Sequence, residues 1–234
     1  MTDAGSSSVD DRGALVCDTV RLVLGTLVVT VGVAGSGKTT FVERQFPAET
    51  IVSADRIRHE LAGDAAIQDL DARVWRILFG RVHARLSRGL LTVVDSTAAS
   101  AKTRRSLRRI AALHRAPLIF LVFATPLAEC FRRNAARRDD LRSARVPPSV
   151  IQQQFARLAH VLRDPGHLQG GRVVVIRPAD AARVRFELPL GLGNTREAGV
   201  VIPTASRCKS QPPGLASSQD HPPPMGISRR SGSL

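Results

Sequence analysis

Aromatic residues make up only 4% of the 234-residue sequence, with one Trp, eight Phe and no Tyr, so a surface of stacking rings for bases is not expected. Cysteine is equally scarce. Cys17, Cys130 and Cys208 lie far apart and in no C-x-x-C arrangement, which excludes a disulfide framework or a zinc cage and fits a reducing cytoplasm. The longest apolar run, 22–34, is broken by Gly25, Thr26, Thr30 and Gly32, and the first residues carry Asp3, Asp10 and Asp11 where a secretory signal would be basic. Neither a membrane span nor a leader is expected. The six His residues are scattered, none with a Cys or carboxylate at ligand spacing, so His83, His114 and His160 are read as packed or exposed side chains rather than metal ligands.

Lysine is nearly missing as well. Of 34 basic residues only Lys38, Lys102 and Lys209 are Lys and 31 are Arg, with a formal net charge of +14, a surplus that suits phosphate-bearing partners. The surplus sits in the middle of the chain: residues 26–190 carry +13, residues 1–25 carry −2 and residues 191–234 carry +3. The last of these segments has no aromatic residue and is rich in Pro, Ser and Gly, so it is expected to be a disordered tail. Residues 1–25 are expected to be an N-terminal extension and 26–190 the folded domain, for which 43% apolar composition supplies a core.

Within 26–190, short β-branched runs at 27–33, 50–53, 91–94, 117–124 and 172–176 predict strands. Between them, 69–88 places Val74, Ile77, Leu78, Val82 and Leu86 on one helical face, and 148–162 does the same with Val150, Ile151, Phe155, Leu158 and Val161–Leu162. Apolar strands alternating with amphipathic helices predict an α/β fold whose mostly parallel sheet is covered on both faces. Ligands of such sheets bind beyond the carboxyl ends of the strands.

The first strand runs into Gly32-Val33-Ala34-Gly35-Ser36-Gly37-Lys38-Thr39-Thr40, a full G-x-x-x-x-G-K-[ST] match placed between strand and helix. Its glycines let backbone N–H groups close around phosphate oxygens, Lys38 can reach the β and γ phosphates, and Thr39 can ligate Mg²⁺. After the second strand, Asp55 is followed three residues later by Arg58, a carboxylate able to take a hydroxyl proton and a guanidinium able to hold phosphate oxygens. Asp55 could equally cap the helix that follows. After the third strand comes Asp95-Ser96-Thr97, where Asp95 could serve Mg²⁺ and its waters, or Asp95 or Ser96 could cap the Arg-rich helix near 101–115. Beyond Pro126 a helix reads Arg132-Arg133-Asn134-Ala135-Ala136-Arg137-Arg138, and continues past Asp139-Asp140 to Arg142 and Arg145; four-residue spacing puts Arg133 and Arg137 on one face as a lid over triphosphate oxygens. Arg132, Arg138, Arg142 and Arg145 are read as solvated. The strip of Lys102, Arg104, Arg105, Arg108 and Arg109 could face a polyanion or water.

The order of these motifs resembles the kinase module of the polynucleotide 5′-hydroxyl kinases, and the wider AAA-type and zeta-toxin-like group of P-loop phosphotransferases, over about residues 27–178. The shared plan is the Gly-rich loop, D-x-x-R (Asp55 to Arg58), a strand ending in Asp95-Ser96, R-N-x-x-R (Arg133 to Arg137) and a helix opening with Val146-Pro147. The resemblance implies a P-loop NTPase three-layer sandwich with about five strands and an Arg-rich helical lid. It implies Gly32, Gly35, Ser36, Gly37, Lys38, Thr39 and Thr40 at the nucleotide, with ATP as donor and Mg²⁺ on Thr39. It also implies Asp55 as general base, Arg58 at the acceptor, Asp95 orienting the site, and Arg133 with Arg137 as clamp. The expected function is transfer of the γ-phosphate of ATP to a hydroxyl, with single-stranded or 5′-OH-ended nucleic acid as acceptor. Two alternatives stand beside it: the same chemistry on a small hydroxylated molecule, and a nucleotide-binding regulatory module without transfer.

Overall fold

The computed structural model describes residues 8–9, 15–16, 19–61, 70–137 and 145–189, all within one compact unit ending at Arg196. The expected tail at 191–234 and positions 138–142 of the basic stretch lie outside the described residues. A short antiparallel pair, β1 (Ser8–Val9) with β2 (Leu15–Val16), is followed by β3 (Thr19–Arg21). Then come β4 (Leu27–Val31), α1 (Lys38–Gln45), β5 (Ile51–Ser53), α2 (Ala54–Leu61), α3 (Leu70–Leu86), β6 (Thr92–Asp95) and α4 (Ala101–Leu113). The chain continues through β7 (Leu118–Phe123), α5 (Leu127–Ala135), α6 (Pro148–Arg163), β8 (Arg172–Ile176) and β9 (Arg185–Glu187). The five expected strands are present, with ends moved by no more than two residues.

Five of the strands form one parallel sheet in the order β5-β6-β4-β7-β8. From β4 the chain runs outward to β5, returns to insert β6, and then crosses to β7 and β8. Strand β4 is therefore where the winding reverses, and the crevice beyond its carboxyl end is where such sheets receive ligands.

Alternation along β4 divides the core between the two faces. Leu27, Val29 and Val31 pack with the buried stripes of α3 (Val74, Leu78, Val82, Leu86) and α6 (Ile151, Leu158, Val161), while Val28 packs with Phe41, Val42 and Phe46 from α1 and its end. Both stripes follow the helical period read from the sequence, except that Val150 is 36% exposed and stands outside its stripe.

Two features differ from the sequence reading in detail. First, residues 19–22 of the expected extension pack onto the domain: β3 pairs in parallel with β9, and Val20 and Leu22 are buried in the α1-side core. Strands of three residues carry too little alternation to register, and these partners are 166 positions apart. Second, α5 stops at Ala135, so Arg133 and Arg137 do not share a helical face. Asn134, buried in the last turn, donates from Nδ2 to the Val146 carbonyl at 2.8 Å and accepts from the Val146 N–H at 3.1 Å. This clasp joins the end of α5 to the approach to α6.

Asn134→Ala removes both bonds and leaves the Val146 peptide groups to water. We expect a loss of about 1–2 kcal/mol, read as a lower urea midpoint with unchanged slope.

Candidate active site

Between β4 and α1 the chain must turn sharply enough to aim a helix start at the sheet's carboxyl edge. Gly35 (φ +82°) and Gly37 (φ +93°, the residue before α1) supply left-handed backbone there. Space is as restrictive as conformation, because a Cβ on Gly35 would collide with the Cys130 carbonyl oxygen of α5. The loop is held from several elements: Gly32 N–H donates to the Thr97 carbonyl at 3.1 Å, Thr125 Oγ1 donates to the Ser36 carbonyl at 3.0 Å, and Ala34 N–H donates to Gln154 Oε1 at 2.9 Å.

Lys38 opens α1 with its side chain folded inward, 7% exposed, and its Nζ donates to the Val33 carbonyl at 2.8 Å and to Ser36 Oγ at 3.3 Å. Burial lowers its pKa to about 8, with Asp95 and Asp55 pulling the other way and Arg137 adding to the depression. Thr39 Oγ1 donates to Asp95 Oδ2 at 2.9 Å, tying the first turn of α1 to the end of β6, the strand beside β4. Burial pushes the Asp95 carboxyl above the ordinary range, while Lys38 and the Thr39 hydroxyl favour its charge. Neither Asp95 nor Ser96 caps α4, since Ser100 does so by accepting the Thr103 N–H at 3.0 Å.

Asp55 is treated differently by the fold. It sits in the first turn of α2, its side chain 80% exposed, and its Oδ1 accepts from Arg58 Nη1 at 2.6 Å. Capping falls instead to Ser53, whose Oγ accepts the Arg56 N–H at 3.4 Å. Arg58 also reaches Asp71 of α3 at 2.9 Å, so the guanidinium is fixed between two carboxylates.

On the other flank Arg133 overlies the start of α1, its Nη1 3.1 Å from where a Gly37 Cβ would stand. Glu129, one turn earlier, accepts from Arg133 Nε at 2.6 Å and from Arg132 at 2.7 Å, and these bonds hold its carboxyl down at about 2. Arg133, Thr40, Phe41, Arg44 and the Ile176–Pro178 turn line a cleft of about 340 Å³ beside the loop, within the range of small-ligand sites. Arg137 lies outside this lining but still acts on Lys38.

The fold thus gathers Gly32 through Thr40, Asp95 and Arg133 around the loop, and sets Asp55 with Arg58 at the neighbouring strand end. Asp71, Thr125, Glu129 and Gln154 were missed. Glu129 was legible as an acid four residues before Arg133, and Gln154 as a polar residue inside the α6 stripe; Asp71 and Thr125 carry no sequence signal. Of the basic strip, Arg104 donates to the Ala98 and Ala99 carbonyls at 2.7 Å and Arg108 to the Gln169 carbonyl at 3.0 Å. Away from the site, His83 Nδ1 and His114 Nε2 meet at 3.0 Å. No group of three or more His, Cys, Asp or Glu among the described residues could hold a metal alone, and no helix among them is long and apolar enough to cross a membrane.

A family model described as an AAA domain matches residues 27–161. No curated protein matches the chain. Among solved structures, the Pnkp1/Rnl/Hen1 RNA repair complex is similar with a TM-score of 0.51 and 22% identity, over 60% of this chain and 46% of that one. The AvrRxo1-ORF1:-ORF2 complex with ATP gives a TM-score of 0.51 and 14% identity over 65% of this chain and 54% of that one. A gluconokinase from Sinorhizobium meliloti gives 0.44 and 22%, over 69% and 88%. The chain spans about half the length of the first two, and at these identities the likeness is one of fold.

If a triphosphate binds against Lys38, its charge favours the protonated amine and raises the bound-state pKa above the free value of about 8. The Lys38-linked part of the affinity for ATP should therefore be level from neutral pH to 8 and fall as pH rises from 8 toward 10, by up to about tenfold per unit. Titration calorimetry across this range checks it, and Lys38→Met should abolish both the binding and its pH dependence.

Proposed function

The chain belongs to the AAA-domain family, and from that premise we propose that it is an ATP-dependent P-loop phosphotransferase whose acceptor is the 5′-hydroxyl of a polynucleotide. The observation that carries the reading is the pair of carboxylates acting on one buried lysine. Asp95 is buried and bonded to the loop threonine; Asp55 is exposed, paired with Arg58, and still close enough to act on Lys38. Such a division matches a site in which one acid serves the donor phosphates and their cation while the other meets an incoming hydroxyl.

In this reading the loop N–H groups and Lys38 hold the triphosphate. Thr39 and Asp95 offer the hard oxygen ligands that suit Mg²⁺, which binds through one or two carboxylates plus substrate phosphates and would neutralise charge on the β and γ oxygens. Asp55 takes the proton of the acceptor hydroxyl as its oxygen bonds to the γ phosphorus, and the bond from that phosphorus to the bridging oxygen of ADP breaks. Arg58, braced by Asp71, faces the acceptor; Arg133, braced by Glu129, and Arg137 clamp the donor. Support for a polynucleotide comes from the +13 carried by residues 26–190 and from the shared fold with a chain of an RNA repair complex. A small hydroxylated acceptor is favoured by a different observation: Arg104 and Arg108 spend their guanidinium groups on backbone carbonyls, so part of the basic surplus is structural.

Labelled ATP with a 5′-OH oligonucleotide should transfer label to the 5′ end, and label appearing only on small alcohols in a parallel panel would move the reading to the second acceptor. Asp55→Ala should keep ATP affinity within about threefold and lower transfer about 10²- to 10⁴-fold. A variant that transfers normally would refute the role of Asp55.

A further inference from the structure

Winding the basic strip into α4 divides it in two. Leu107, Ile110 and Ala111 turn into the core that α3 and α6 also fill. Arg104 and Arg108 flank that stripe and are bonded to the Ala98, Ala99 and Gln169 carbonyls. Lys102, Arg105 and Arg109 are exposed and, at about 100° per residue, lie within about 60° of one another round the axis on the side away from the core. They line about 10 Å of helix. None of these three side chains has a hydrogen bond or ion pair with a described residue.

Elsewhere the fold gives its outward arginines acids. Arg56 meets Glu43, Arg58 meets Asp55 and Asp71, Arg81 meets Glu60, and Arg132 and Arg133 share Glu129. Helix α4 contains no acid at all. Like charges three and four residues apart oppose a helix, and cations in its first turn oppose its dipole. Local preferences are broken in this way where a surface serves a ligand.

The stripe also has a direction. Ser53 and Asp95 are in register across β5 and β6, so the strand ends that lead into Asp55 and into α4 are adjacent. Helix α4 leaves that carboxyl edge and returns the chain to the start of β7 at the opposite edge, which puts Lys102 at the site end of the stripe and Arg109 two turns beyond it. The junction is fixed to the phosphate loop, because the Thr97 carbonyl accepts the Gly32 N–H and Ser100 caps the helix.

We propose that the exposed face of α4 binds the phosphodiester backbone of single-stranded nucleic acid, guiding the acceptor strand away from Asp55 along Lys102, Arg105 and Arg109. This rests on the polynucleotide reading of the acceptor and adds to it a surface outside the loop, the two acids and the lid. Contacts from charge to phosphate carry no base preference, in keeping with a chain poor in aromatic rings for stacking.

The test combines Lys102→Gln, Arg105→Gln and Arg109→Gln in the full chain, which removes three charges while keeping helix propensity. The comparison chain loses three exposed charges at the opposite edge of the sheet, through Arg88→Gln, Arg163→Gln and Arg172→Gln. ATP affinity within about twofold of the parent reports that each chain is folded. Affinity for a 5′-OH oligothymidylate is then read by fluorescence anisotropy across a salt series. Each phosphate contact on a single strand contributes about 0.7 to the fall of log K with log salt, so the α4 variant should lose about 2 from that slope and the comparison chain almost none. In the transfer assay at low salt, the α4 variant should raise KM for the oligonucleotide about tenfold with kcat within about twofold. An unchanged slope in the α4 variant, or an equal loss in both chains, would overturn the proposal while transfer by the parent still supports the acceptor reading. A parent chain that labels no oligonucleotide would overturn that reading and this inference with it.

Discussion

Burying a lysine ammonium is unfavourable unless the surroundings return both acceptors and negative charge. Lys38 is the place where this molecule meets that condition. The Val33 carbonyl and Ser36 hydroxyl accept its protons, Asp95 and Asp55 oppose the penalty of burial, and the net result is still a depressed pKa. The amine is thus held short of full compensation. An anionic ligand carrying several oxygens would complete its environment, as the proposed phosphotransferase reading requires.

The arrangement around that lysine depends on strand order. Inserting β6 between β4 and β5 brings Asp95 directly beside the loop and pushes Asp55 one strand further out. One acid becomes buried and bonded to Thr39, the other stays solvated and paired with Arg58. Two carboxylates of the same chemistry acquire different electrostatic characters because the sheet places them at different depths. The arginines on the opposite flank are prepared in a similar way, with Glu129 fixing Arg133 before any anion arrives.

Much of this was legible. The loop at Gly32–Thr40 is a contiguous motif whose geometry follows from its glycines, and the strands and long helices announced themselves through period. What failed to register were features without local signature. The pairing of β3 with β9 joins two three-residue strands far apart in sequence, and the end of α5 is fixed by Asn134 reaching across to Val146. The capping readings of Asp55, Asp95 and Ser96 could be removed only once Ser53 and Ser100 were seen in those positions.

The sequence by itself determined that a phosphate-binding loop stands between a buried strand and a helix in an α/β chain, because residue type, order and periodicity act over short distances. Tertiary structure alone decided which acid lies beside the lysine, which arginine overlies the helix start, and that Gln154 of a helix some 120 positions away closes on the Ala34 amide. Those relations arise from the order in which parallel strands pack, and no local pattern encodes the distance between segments that only the sheet brings together.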